Sequence, residues 1–114
     1  MKEITMTKSG SRIPAPIVAP IIHNGVRYEQ VPNGLLAGFE QMGGYLVAID
    51  EATGSTLWTL KVYDNQRNPE KEGDVQDVFF KSMALQADGS LLIENERGKK
   101  FIVDPAKKSS TPGD

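Results

Sequence analysis

Cysteine is absent from the chain, which excludes disulfides and thiolate metal sites. The fold therefore does not depend on an oxidising compartment. Histidine occurs once, as His23, and one imidazole without thiolates does not make a zinc site. No apolar run approaches the ~20 residues of a membrane-spanning helix, so no membrane partner is expected. An excess of positive charge is also missing. Thirteen Lys and Arg stand against fifteen Asp and Glu, for a net charge of −2. A nucleic-acid partner would call for a basic stripe that releases phosphate counterions, so none is expected. Met1–Ser11 contains no apolar signal core, and the expected location is the cytoplasm. Gly43-Gly44 is followed by no Lys-Ser/Thr, and there is no Gly-x-Ser-x-Gly, His-Glu-x-x-His or dinucleotide fingerprint. No cofactor is expected.

What the sequence does contain is short apolar runs separated by turn chemistry. Its 114 residues suit one domain. Residues 1–13 and 105–114 are polar and read as flexible tails around a single β domain at 14–104. The three prolines of Ile13–Pro20 forbid a helix and favour an extended lead-in. His23-Asn24-Gly25 sits between the runs 17–22 and 26–31, a strong hairpin signal because Asn-Gly accepts positive φ. Leu35–Gln41 fits a short strand or one helical turn. Tyr45–Asp50 reads as a buried strand, returned by Ser55–Tyr63. In that return Trp58, Leu60 and Val62 face an apolar side, and Leu57, Thr59, Lys61 and Tyr63 face the other. Val75–Leu85 fits helix or strand, with a strand preferred over Phe80–Leu85 because Asp88-Gly89 then turns into Leu91–Glu94. Arg97-Gly98 turns again before Phe101–Val103. The predicted fold is all-β, six to eight mostly antiparallel strands in hairpin order. Such a meander forms a small barrel or a two-layer sandwich.

One stretch carries a family pattern. Ala48, Asp50, Thr53, Gly54 and Trp58 fall in Val-Ala-Ile-Asp-Glu-Ala-Thr-Gly-Ser-Thr-Leu-Trp. This resembles the tryptophan-docking repeat of quinoprotein-type β-propellers. The resemblance covers about a tenth of the chain, once. It implies a hairpin with Asp50 and Thr53 bonded to turn backbone, Gly54 at positive φ and Trp58 as a packing anchor. It implies nothing about cofactor binding, since the motif is structural in that family. A propeller needs four or more blades, which this length cannot supply. The segments 86–90 and 94–104 also resemble blade hairpins, and the chain resembles small bacterial proteins, which implies a bacterial origin.

Candidate chemistry is sparse. The charged segment 64–77 holds Asp64, Arg67, Glu70, Glu72, Asp74 and Asp77. Its oxygen ligands do not follow a calcium loop, because Pro69 stands where Gly is required and Val75 where the bidentate Glu belongs. As the longest irregular stretch it is the first candidate for an interaction loop. Arg97, Lys99 and Lys100 suit an anion, or the lysines that blunt sheet edges. Glu94, Glu96, Asp77 and Asp104 offer the paired carboxylates that a glycoside hydrolase needs, and surface charge on hairpins explains them better. The function read from the sequence is a non-enzymatic interaction domain. It would bind a protein partner, or a second copy, through a strand edge or the 64–77 loop. The alternative is a ligand-binding barrel with Trp58, Tyr45 and Phe79 around its cavity.

Overall fold

The computed structural model describes residues 17–64, 66–68, 74–76 and 78–113. Among the described residues ten strands run in order: β1 Ile21–His23, β2 Val26–Gln30, β3 Tyr45–Asp50, β4 Thr56–Lys61, β5 Gln66–Asn68, β6 Asp74–Gln76, β7 Phe80–Leu85, β8 Leu91–Asn95, β9 Lys100–Asp104 and β10 Ser109–Pro112. They form two four-stranded antiparallel meanders, β1-β2-β3-β4 and β10-β9-β8-β7, and a separate β5–β6 hairpin. The all-β expectation holds, in its two-layer form. Neither four-stranded sheet closes on itself, so the barrel, and with it a barrel cavity, is corrected.

The turns follow from local chemistry. Asn24 and Gly25 both take positive φ, at 52° and 78°, as a two-residue hairpin demands. The β3–β4 turn begins at Asp50, whose Oδ1 accepts the Ala52 amide at 3.1 Å. Thr53 Oγ1 accepts the Ser55 amide at 3.2 Å, and Gly54 takes φ 79°. The β9–β10 turn is built in the same way. Asp104 Oδ1 accepts the Ala106 amide at 3.0 Å, and Lys108 takes the left-handed position at φ 53°. Asp50–Ser55 and Asp104–Ser109 both read Asp-x-Ala-x-x-Ser. Each joins the third and fourth strands of its meander.

The second of these turns corrects the expected C-terminal tail. Ser109–Pro112 pairs with Phe101–Asp104 as an edge strand, which is where a strand proline is tolerated. Segment 35–41 is one helix-like turn, with Asn33 Oδ1 accepting the Leu36 amide at 3.0 Å and the Asn33 carbonyl accepting that of Ala37 at 3.2 Å. The charged stretch read as irregular contributes β5 and β6, which pair antiparallel from Gln66↔Gln76 to Asn68↔Asp74. Residues 1–16 lie outside the described residues.

Strand pairing puts the apolar residues in rows. Ile21, Tyr28, Ala48 and Trp58 cross the first sheet in one row, and Leu46 and Leu60 pair in the next. In the second sheet Leu91 and Val103 share a row, followed by Met83, Ile93 and Phe101. These two faces pack into one core. A register shift at Lys81 lets Phe80 enter that core fully buried. Polar side chains stitch the layers. The Phe80 amide donates to Gln30 Oε1 at 2.7 Å, and Ser110 Oγ donates to the Val62 carbonyl at 2.8 Å.

Tyr63 differs from the alternation expected for its strand. β4 ends at Lys61, the Val62 amide returns to the Gly44 carbonyl, and the Tyr63 ring turns inward. Its hydroxyl donates to the Val78 carbonyl at 2.6 Å, a third tie between the layers.

Candidate functional site

Two surface features meet where β4 ends. The first is β4 itself, an edge strand of six residues. The Val62 amide bonds to Gly44 across the Lys61↔Tyr45 pair. That pair is therefore a non-hydrogen-bonded one, and so is Thr59↔Val47 two residues earlier. The N–H and C=O groups of Thr59 and Lys61 consequently point away from β3. Among the described residues no strand lies beside them. A register shift beside this strand leaves the Leu57 side chain half exposed, at 49%. Lys61 closes the edge, its ammonium 2.5 Å from Glu40 Oε2 and 2.7 Å from Asp64 Oδ1. These bonds hold Lys61 cationic well above its ordinary range, the Asp64 contact acting most strongly.

The second feature is a cleft of about 490 Å³ between Tyr63 and the β8–β9 turn. Asp64, Arg97, Lys99, Lys100 and Phe101 also line it. The turn is fixed from both sides. Asn95, almost fully buried, accepts the amides of Arg97 at 2.9 Å and Lys99 at 3.0 Å on its Oδ1. Glu96 Oε1 accepts the Phe79 amide at 2.9 Å, and the Glu96 amide returns to the Phe79 carbonyl at 3.0 Å. The Tyr63 and Phe101 rings stack with centroids 5.0 Å apart and planes 24° apart.

Burial, and secondarily the charge of Glu96, pushes the Tyr63 hydroxyl well above its ordinary value. Tyr28 is raised by burial as well. In the unfolded chain a tyrosine ionises near ~10. The folded state therefore gains stability that is complete below that pH and is lost as pH rises above it. Urea midpoints are expected to fall between ~pH 8 and ~pH 11, and less so in Tyr63→Phe. An equal fall in both proteins would remove Tyr63 as a cause.

A smaller cleft of about 290 Å³ gathers three turn tips, with His23, Tyr28, Asp88, Ser90 and Asp104 among its residues. Its carboxylates are already engaged. Asp88 Oδ1 accepts the Ser90 hydroxyl at 2.6 Å and amide at 3.0 Å, which holds its carboxyl below the usual range. Asp104 caps its own turn.

Of the sequence candidates, Asp64 lies at the rim of the larger cleft. Arg67 and Asp74 fall within β5 and β6, while Glu70, Glu72 and Asp77 lie outside the described residues. Asp50, Thr53 and Gly54 build their turn, and Trp58 is half-buried against the core, 6.0 Å from Tyr28 between ring centroids. Tyr45 and Phe79, expected to line a barrel cavity, are buried packing residues. Neither cleft is lined by Glu94 or Glu96. Among the described residues no group of three or more His, Asp or Glu gathers as metal ligands, and no helix is long and apolar enough to cross a membrane. Tyr63, which the sequence offers for a binding face but more readily for the core, lines the larger cleft, whereas Phe101 was missed as a cleft residue because only the packing of the two sheets brings it beside Tyr63. No family model, curated protein or solved structure matches the chain.

Proposed function

We propose that this chain is a non-catalytic interaction domain that takes up an extended peptide segment of a protein partner along β4. The observation that carries this reading is the open edge. Thr59 and Lys61 point backbone groups outward beside the half-exposed Leu57, and no strand among the described residues pairs with them. Strand addition draws affinity from main-chain hydrogen bonds and specificity from alternate side chains, so it leaves no sequence motif. The three-residue β1 and four-residue β10 offer shorter edges, and β7 lies against β1.

The test is selection from random peptides displayed on phage, followed by binding to Thr59→Pro. That proline removes an outward amide and leaves the bonds to β3 in place. Enriched peptides are expected to lose binding to Thr59→Pro while its circular dichroism stays that of the parent. Peptides that bind both proteins equally, or no enrichment, would reject the edge as the binding surface.

A further inference from the structure

We propose that copies of this chain join head to tail into a closed ring, the outer face of the second sheet of one copy packing on the outer face of the first sheet of the next. The repeated turn fixes how the two sheets correspond. Aligning Asp50–Ser55 with Asp104–Ser109 matches β3 to β9, so Ala48 matches Ile102 and Ile49 matches Val103. Strand pairing carries the match to β2 and β8, where Tyr28 matches Leu92. The faces then differ. Tyr28 and Ala48 lie in the shared core, while Leu92 and Ile102 alternate with core residues and face outward. Val103 is fully buried in that core, while Ile49 faces outward from the first sheet. Each sheet therefore contributes the face that the other leaves open.

Two sheets related by a two-fold axis would bury the same face of each. Here the relation is head to tail. β1 lies against β7, and Ser110 of β10 bonds to the Val62 carbonyl at the end of β4, so strand order runs the same way in both sheets. A heterologous contact leaves at each end the surface that the other end has used. On the first sheet that surface carries Ile22, Val47 and Ile49, with Ile22 56% exposed. On the second it carries Ala84, Leu92 and Ile102, in one row across β7, β8 and β9. Charge does not oppose the contact. Arg27 Nε lies 3.2 Å from Glu29 and 3.3 Å from Glu51 on the first face, and Glu94 stands opposite Lys100 on the second. Repeated units of this kind extend one core by contact with their neighbours. Aligned sheets pack at an angle of about 30°, so each step turns the stack, and a turning head-to-tail contact ends in a ring.

Sedimentation velocity of the full chain over a concentration series is expected to show one species larger than a dimer. Ile49→Glu spoils the first face and Leu92→Glu the second, so each variant alone should sediment as a monomer. Mixed in equal amounts they should form a one-to-one dimer, because each supplies the intact face that the other lacks. An isologous contact would instead leave one of the two variants associating as the parent does, and that result overturns the proposal. So does a parent that stays monomeric or stops at a dimer, or a mixture that does not associate. Growth without limit would overturn the closed ring. Circular dichroism checks that both variants fold. If either does not, Ile22→Glu and Ala84→Glu, both at exposed positions, take their places. Thr59→Pro should assemble as the parent does, which separates this surface from the β4 edge.

Discussion

Truncation of Phe80 to alanine is expected to remove about 3–5 kcal/mol of folding stability, the usual cost of deleting a buried aromatic ring. Phe80 is fully buried and stands at the start of β7, where a register shift turns it into the core. Its ring lies 6.1 Å from that of Tyr63 across the layers, and its amide donates to Gln30. The side chain thus fills space between the two sheets, and nothing in either sheet alone could close the cavity left behind. Domains of this kind have about 5–15 kcal/mol in total, so the variant should sit near the limit of folding at room temperature. Urea denaturation checks it through a fall in midpoint at constant slope. A loss under ~1 kcal/mol would place Phe80 outside the shared core.

Trp58 shows why the sequence points to a different anchor. It has the largest side chain and clear period-2 neighbours, so local pattern ranks it first. In the fold it belongs to an edge strand and is half-buried, which makes its truncation less costly than that of Phe80. What was legible is what neighbouring residues decide. Asn24-Gly25, Asp50 with Gly54, and Asp88-Gly89 specify turns through their own side chains and permitted φ. The strands between them follow, and hence the all-β class.

β10 was hidden because Ser109–Pro112 has no apolar alternation and ends in proline. The one signal was the repeat of Asp-x-Ala-x-x-Ser, disguised by Lys108 standing where Gly54 stands in the first copy. The cleft was half legible. Arg97, Lys99 and Lys100 are neighbours in sequence, so their charge is visible, whereas Tyr63 reaches them only through sheet packing. Whether their turn lies at an edge or in the centre of a sheet is a matter of strand order, which no local pattern encodes.

The junction beneath that cleft gives the second large effect. Gly44 has φ 94°, a conformation that costs an L-residue about 1–3 kcal/mol. A methyl group there would also lie 2.8 Å from the Tyr63 carbonyl oxygen and 2.8 Å from Gln41 Nε2. Those two atoms are hydrogen-bonded to each other at 2.8 Å, so the methyl would wedge open a bond that holds the chain where β4 ends. Overpacking of this kind adds about 1–3 kcal/mol. Gly44→Ala is therefore expected to lose the sum of both costs in urea denaturation. Gly25→Ala separates them, because Gly25 also has positive φ, 78°, but its methyl would meet nothing within 4 Å. If both variants lose the same amount, the Gln41–Tyr63 contact contributes little. If Gly44→Ala loses clearly more, that contact fixes the position of Tyr63. The aromatic wall of the cleft then rests on a glycine that lies nineteen residues earlier in the chain.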